Sequence, residues 1–225
     1  MTSIFERALG SDFARLHPEL QRRFGFSSAD ETACTGSGTM DEVWRGPAYT
    51  VPFLALGAHR NVLFPERGRR IPFTIENYAY LDSFGRETVT FNRAFEVARG
   101  RRRRFDATMI YDAERGTIVD YLGTHQHVAV DLDLRVDDRG GLRIRTARQR
   151  IRERALDLRL PESLSAVADL HESYDERLSR FRIEVRVANP RFGPVFGYRG
   201  SFTAAYSQAG GVPTSARPLR EDARS

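Results

Sequence analysis

Apolar and polar residues alternate most clearly between Ile71 and Val97, in the segment IPFTIENYAYLDSFGRETVTFNRAFEV. Apolar positions recur at every second residue on both sides of residues 82–85, whose Asp, Ser and Gly are typical of a tight turn. This pattern predicts a β-hairpin with one buried face. Because a slip of one residue would send a whole face of a strand to the wrong side, the alternation also fixes the parity of the register.

Two polar residues, Asn77 and Arg93, fall on the predicted buried face of this hairpin. With the turn centred near Phe84, Asn77 lies opposite Phe91 or opposite Arg93 itself, so the two polar side chains are direct or diagonal neighbours. A buried guanidinium needs partners, because an unpaired buried charge costs several kcal/mol. We expect either an acidic residue of another strand, for which Asp120 is the best candidate, or the anionic group of a ligand.

Further alternating segments follow the hairpin, and tight turns join most of them. They lie at residues 105–111, 118–122, 128–136, 142–144, 170–174, 181–187 and 198–206. Many strands joined in sequence order predict a mainly β (α+β) fold, an antiparallel β-meander curled into a barrel or a tight sandwich.

The two ends of the chain have patterns different from that of the strands. Residues 3–25 predict two short helices, because apolar residues recur at spacings of three and four and Pro18 breaks the run. Residues 209–225 have no apolar face to bury and predict a disordered tail. We therefore expect a single β-rich globular domain over residues 1–208.

The basic residues of the chain are strongly biased toward arginine. Lys and Arg together number 35, no lysine is among them, and the formal net charge is +5. The densest run, Arg99 with Arg101 to Arg104, predicts a solvated hairpin connection. A nucleic-acid or phosphate site is the alternative, and it is disfavoured because no stacking aromatic residues surround the run. We expect no nucleic-acid partner.

Three features favour the cytoplasm. No stretch approaches the roughly 20 apolar residues of a membrane span, so no transmembrane segment is predicted. Glu6 and Arg7 stand where a secretory signal would have its apolar region. The single cysteine, Cys34, has no partner for an internal disulfide, as is usual in a reducing compartment.

His125 and His127 have the only spacing typical of metal ligands. Side chains two apart on a strand point to the same side, and a nearby acid, Asp131, makes the segment locally similar to the metal site of cupins. However, the apolar residues of 128–136 define the buried face and leave both histidines and Asp131 on the other. We therefore expect a solvated polar row, no bound metal and no cofactor.

The outer face of the hairpin carries one candidate general base. Glu76 stands beside Tyr78 and Tyr80 on the face opposite Asn77. If that face lined a cavity, a raised pKa would suit Glu76 to proton transfer, but a glutamate exposed to solvent is the simpler interpretation. No nucleophile elbow, P-loop or zinc-protease motif occurs, so the sequence favours a non-enzyme.

Three stretches resemble a bacterial family known as domain of unknown function 4166. They are FERALGSDFARLHPELQRRFG, MDEVWRG with IPFTIENYAYLDSFGRETVTFNR, and FRIEVRVANPRFGPVFGYRGSF, and together the similarity spans about residues 3–206. Members of the family occur fused behind dehydrogenase-like modules. The resemblance thus implies an accessory or substrate-handling role and supplies no catalytic residues.

Three functions remain open. The first is a β-barrel that binds a lipid-like or isoprenoid-like molecule, with Asn77, Arg93, Glu76, Tyr78 and Phe91 as candidate ligand-binding residues. The second is an interaction module that docks on a partner oxidoreductase or on an anionic membrane surface, through residues 49–64 or the arginine run. The third is an enzyme that uses Glu76 or the two histidines.

Overall fold

The structure is a computed structural model that describes residues 1–126, 128–153, 156–159 and 166–223. The helices are α1 (Ile4–Leu9), α2 (Pro18–Phe24) and α3 (Val51–Ala58), with short 3₁₀ segments at Gly10–Arg15, Ser28–Asp30, Ala48–Thr50 and Thr214–Ala216. The strands are β1 (Thr32–Arg45), β2 (Gly68–Leu81), β3 (Glu87–Ala98), β4 (Arg101–Asp112), β5 (Thr117–Leu122), β6 (Val128–Val136), β7 (Leu142–Glu153), β8 (Leu156–Arg159), β9 (Val167–Asp175), β10 (Arg180–Asn189) and β11 (Gly193–Gln208).

Ten of the described strands form an antiparallel β-barrel. The strands follow one another in chain order from β1 to β7 and from β9 to β11, with β7 paired to β9. The ring closes where β11 pairs with β1, while β8 adds to β7 and has no second partner among the described strands. The predicted antiparallel meander is confirmed, and of the two predicted architectures the chain adopts the barrel.

The hairpin of β2 and β3 has one of the two registers that the sequence allows. Asn77 pairs with Phe91 and Ile75 pairs with Arg93, so the two polar residues are diagonal neighbours. Both point into the barrel and are almost completely buried, with 1% and 4% of their surfaces exposed. The predicted face assignment is confirmed.

Because neighbouring strands are antiparallel, the hairpin turns gather at the two ends of the barrel. The turns at residues 82–87, 112–117, 137–141 and 175–179 lie at one end, which α1 and α2 close; we call it the plugged end. There the backbone N–H of His17, the N-cap of α2, donates to the carbonyl of Gly140 over 2.9 Å.

The opposite end holds residues 46–67, which include α3, and the turns at 98–101, 123–126 and 189–193; we call it the α3 end. The Gly46 N–H donates to the Val195 carbonyl over 2.9 Å, and the Thr124 N–H donates to the Arg60 carbonyl over 3.0 Å. No helix in the described residues is long and apolar enough to cross a membrane.

A small residue in β1 is required by the packing of the barrel interior. A Cβ atom at Gly36 would lie 2.7 Å from Cγ2 of Ile75 and 2.9 Å from Cδ2 of Phe202. The aromatic ring occupies the space that a side chain would need, which gives this glycine a packing role within the strand.

The C-terminal segment differs from its prediction. Residues 209–223 do not extend into solvent but pack along the outer face of β2, β3 and the 123–126 turn. Arg86 Nη2 donates to the Asp222 carbonyl over 2.6 Å, and Asn92 Nδ2 donates to the Ala216 carbonyl over 2.9 Å. The structure thus places these residues against the barrel, where the sequence predicts a disordered tail. Hydrogen bonds to side chains far away in the sequence hold this segment in place. Such contacts produce no apolar periodicity from which the docking could be predicted.

Deleting residues 209–225 is expected to lower the melting temperature by about 5–10 °C. The deletion removes the backbone partners of Arg86, Asn92 and Gln126, and hydrogen bonds of this kind contribute about 1 kcal/mol each. Differential scanning calorimetry measures the change, and deletion of 224–225 alone is the control. An unchanged melting temperature for the long deletion would show that the segment is not docked in solution.

Candidate functional site

A cavity of about 320 Å³ occupies the barrel interior at the α3 end. Its walls are mainly apolar, and it reaches the surface beside α3, because Phe53 lines it and is 58% exposed. The lining residues are Phe53, Val62, Leu63, Arg93, Phe105, Met109, Asp120, Leu122, Val128, Leu132, Ile144, Thr146, Ala166, Ala168, Leu170, Val185 and Val187. This volume lies at the small end of the range for ligand pockets, about 300–1,000 Å³.

A larger groove of about 490 Å³ lies on the outer surface of β6, β7, β9 and β10. Its walls carry charges of both signs that pair with one another, as Arg135 does with Asp133 over 2.9 Å and Arg186 with Glu184 over 2.7 Å. Solvated pairs of this kind are usual on a protein surface. The interior cavity is therefore the better candidate site.

Arg93 brings a positive charge into this apolar cavity. Its guanidinium carbon lies 4.8 Å from the ring centroid of Phe105 and 5.6 Å from that of Phe91. Neither Nε nor Nη1 has a hydrogen-bond partner in the described part of the chain, although both atoms are buried. Contact with aromatic faces compensates for part of the lost hydration, but it supplies no acceptor for the N–H groups of these two nitrogen atoms.

Asp120 brings the second ionisable group into the cavity. Burial raises the pKa of Asp120 to about 7, against the opposing effect of the positive charge of Arg93. Its Oδ1 atom has no hydrogen-bond partner among the described residues. Near neutral pH this carboxyl group is therefore divided between its protonated and ionised forms, and it is able to donate or to accept a hydrogen bond.

The predicted direct ion pair between Arg93 and Asp120 is not present among the described residues. Arg93 pairs across the sheet with Phe105, whereas Asp120 pairs with Met109, four residues further along the intervening β4. Four residues of a strand span about 13 Å. The two side chains line the same cavity without direct contact, and Arg93 affects the pKa of Asp120 only through its electrostatic field.

Asn77 accepts a hydrogen bond from a second buried arginine, Arg23. Its Oδ1 accepts a hydrogen bond from Nη1 of Arg23 over 2.8 Å, and its Nδ2 donates to the Thr90 carbonyl over 3.1 Å. Arg23 also pairs through Nε with Oε1 of Glu172 at 2.5 Å. Both charged side chains are buried, so this cluster ties α2 to β2 and β9 inside the barrel.

Sequence reasoning missed Arg23 and Glu172, although a signal for each exists. Arg23 stands three residues after Leu20 and directly before Phe24, both core residues of α2, so it shares their helix face. Glu172 lies two residues after Leu170 on β9, so its side chain points to the same, inward side of the strand. A charge on each of two buried faces is the pattern expected of an internal ion pair.

The other predicted ligand-binding residues lie away from the cavity. Phe91 points inward but packs against Phe5 and Phe24 of the N-terminal helices, with ring centroids 6.0 and 6.1 Å apart. Glu76 is exposed on the outer face, and Tyr78 is half-buried beside it. Burial, followed by the charge of Glu76, raises the pKa of the Tyr78 hydroxyl.

The histidine pair is only partly described. His125 lies in the 123–126 turn at the α3 end, where its Nδ1 is 3.1 Å from the Thr124 hydroxyl. His127 lies outside the described residues. In the ranges that the structure covers, no group of three His, Cys, Asp or Glu side chains is placed to hold a metal ion.

Replacing Arg23 with Met is expected to lower the free energy of unfolding by about 3–5 kcal/mol, because Glu172 is then left buried without its partner. Denaturant unfolding measures the loss. The double variant Arg23→Met/Glu172→Leu is expected to recover most of it, because an apolar pair replaces the ion pair. Arg22→Met on the exposed side of α2 is the control, and an equal loss in that variant would contradict the assigned role.

Replacing Asp120 with Asn is expected to stabilise the ligand-free protein at pH 8 by about 2–4 kcal/mol and to leave it unchanged near pH 4. The pKa of Asp120 is about 7 in the folded protein and about 3.9 in an unfolded chain. The folded state therefore holds the proton more tightly, and stability is lost as the pH rises from about 4 to about 7.

Thermal unfolding of both proteins at several pH values in this range tests the Asp120 assignment. Asp138→Asn, at an exposed carboxyl group in the 137–141 turn, is the control. A gain in stability of the Asp120→Asn variant that does not vary with pH would contradict the assignment of Asp120 as a buried carboxyl group that titrates in this range.

Two comparisons place the chain among known sequences. The family described as domain of unknown function (DUF4166) matches residues 16–202. The chain is also 33% identical over 202 residues to the uncharacterized protein YndH of Bacillus subtilis (strain 168), and this match covers 90% of the chain and 97% of YndH.

A comparison of structures gives a weaker likeness, to a porin-like protein from Bacteroides uniformis ATCC 8492. The sequences are 11% identical, and the match covers 81% of this chain and 97% of the other, with a TM-score of 0.23. A score this low carries no argument about fold or function. The match over residues 16–202 and the relationship to YndH, by contrast, show that this β-barrel protein belongs to the domain of unknown function 4166 family.

Proposed function

We propose that the barrel binds a small amphipathic molecule, with its apolar body in the interior cavity and an anionic group at Arg93. One observation carries the proposal: a buried guanidinium in a mainly apolar cavity has two nitrogen atoms, Nε and Nη1, that donate to none of the described residues. The anionic group of such a ligand would supply the acceptors that the described residues do not.

The energetics favour a ligand group over an empty site. A buried ion without partners costs several kcal/mol, and charge-assisted hydrogen bonds to a carboxylate or phosphate return more than neutral ones do. Arg93 and Asp120 remain apart, so neither neutralises the other directly. A ligand with an acidic group for Arg93 and a hydroxyl or second oxygen for Asp120 would satisfy both side chains.

The walls of the cavity indicate the class of the apolar body. Aliphatic and aromatic side chains from six strands and from the α3 end surround the space, and Thr146 is its remaining polar residue in the described part of the chain. The Thr146 hydroxyl already accepts a hydrogen bond from the Ala168 N–H over 2.8 Å. Such walls suit a lipid-like or isoprenoid-like chain, for which burial of apolar surface supplies the affinity.

Binding is better supported than catalysis by the residues that line the cavity. Arg93, Asp120 and Thr146 are able to anchor a ligand, but they do not form the pair of nucleophile and base that covalent catalysis needs. The candidate base Glu76 is exposed on the outer face, outside this cavity. The enzyme hypothesis therefore has no group of described residues to carry it.

The test combines extraction with a matched pair of probes. Organic extraction of the natively purified protein, followed by mass spectrometry, is expected to yield an apolar acid. Titration with cis-parinaric acid, a fluorescent fatty acid, and with its methyl ester then compares ligands that differ only in the anionic group. We expect the wild-type protein to bind the acid more tightly than the ester.

Replacing Arg93 with Met is expected to weaken binding of the acid about 10- to 100-fold and to leave binding of the ester unchanged, because hydrogen bonds to charged groups contribute about 1.5–3 kcal/mol. The ligand-free protein is expected to keep or gain stability, because the substitution removes a buried charge of which two nitrogen atoms lack hydrogen-bond partners among the described residues. Arg102→Met, at an exposed position of β4, is the control. No extracted ligand together with no binding of either probe would refute the proposal, as would a loss of 3–5 kcal/mol of stability with unchanged binding.

A further inference from the structure

Large apolar side chains are exposed together at the α3 end. Tyr49, Phe53, Leu56 and Phe192 are 58%, 58%, 69% and 52% exposed, and we call this group the apolar tip. The Tyr49 hydroxyl donates to the Phe192 carbonyl, and the two ring centroids are 6.5 Å apart. Phe53 and Leu56 follow at a spacing of three along α3 and therefore share one side of that helix.

Positive charge surrounds this tip. The residues of the α3 end, 46–67, 98–101, 123–126 and 189–193, contain five arginines and a single acidic residue, Glu66. Glu66 is already paired with Arg101 and Arg103, over 2.8 and 2.7 Å. The four turns at the plugged end have the opposite balance, with eight acidic residues and four arginines. The barrel is thus electrically polarised along its axis.

We propose that the α3 end docks on the surface of an anionic lipid bilayer. The apolar tip would insert among the lipid headgroups, and exposed arginines such as Arg99 and Arg102 would contact lipid phosphates. Shallow apolar insertion together with basic charge is the combination that holds peripheral proteins on anionic membranes. The acidic turns of the plugged end orient the barrel, because they are repelled by the same surface.

A bilayer fits this end better than a second copy of the chain does. Two α3 ends brought face to face would oppose two sets of arginines, and like charges in an interface are unfavourable. The cavity also reaches the surface at Phe53, within the tip itself. An apolar ligand would then pass between membrane and cavity without crossing water, a consequence that rests on the proposed function.

Sedimentation with lipid vesicles tests the docking. We expect the protein to bind vesicles of phosphatidylcholine that contain about 30% phosphatidylglycerol and to bind pure phosphatidylcholine vesicles at least about tenfold more weakly. Raising the salt concentration from about 0.1 M to about 0.5 M is expected to weaken binding, because screening shortens the reach of the charges. Equal binding to both vesicles, or to neither, would overturn the proposal.

Two matched pairs of variants assign the surface. Leu56→Ser/Phe192→Ser is expected to weaken vesicle binding about tenfold or more, whereas Phe84→Ser/Leu178→Ser, which changes exposed apolar residues at the plugged end, is expected to have no effect. The second pair of variants tests the charges. Arg99→Gln/Arg102→Gln, at the α3 end, is expected to weaken vesicle binding, whereas Arg139→Gln/Arg177→Gln, at the plugged end, is expected to have no effect. Equal losses of vesicle binding in the variants of the α3 end and of the plugged end would overturn the proposal.

A further measurement separates docking from ligand binding. Arg93→Met is expected to bind vesicles as the wild type does, because Arg93 is buried within the barrel. Vesicle binding without binding of parinaric acid would support the docking surface and refute the proposed function. Self-association of the wild type in ultracentrifugation, abolished by Leu56→Ser/Phe192→Ser, would instead assign the tip to a second copy and overturn the proposal.

Discussion

The buried ion pair between Arg23 and Glu172 joins the N-terminal helices to the wall of the barrel, and the rest of the interior depends on it. A barrel of about eight strands is filled by its own side chains, so ten strands leave space that other groups must occupy. At the plugged end α1 and α2 occupy it, and Arg23 fixes their position through Glu172 on β9 and Asn77 on β2. Removing Arg23 would deprive the buried Glu172 carboxylate and the Oδ1 atom of Asn77 of this donor.

The position of the helices divides the interior into two parts. Phe5 and Phe24 pack against Phe91 in the part that the helices fill. Beyond them, toward α3, the same strands enclose a cavity whose polar groups, Arg93 and Asp120, are not paired with each other. Arg23 therefore stabilises the fold through its ion pair, whereas Arg93 has no such partner among the described residues, and that difference underlies the proposed ligand site.

The two ends of the barrel also differ in their surfaces. The turns of the plugged end are mainly acidic, whereas the α3 end combines arginines with exposed aromatic and aliphatic side chains. The cavity lies at the second of these ends. The proposed ligand site and the proposed membrane-docking surface thus lie at one end of the molecule, so one orientation on a membrane would bring both to the lipid.

The sequence by itself determined most of the strands, most of their turns and the side of those strands that faces inward, because an alternation with a period of two records burial directly. It placed Asn77 and Arg93 on the interior face, and Pro18 marked the start of α2. Only the tertiary structure decided which groups those interior residues meet. Arg23 reaches Asn77 and Glu172 across 54 and 149 positions of the chain, and no local period records contacts between such distant residues. The same reason applies to the closure of the ring between β1 and β11 and to the docking of residues 209–223, because both depend on partners that the chain brings together only when it folds.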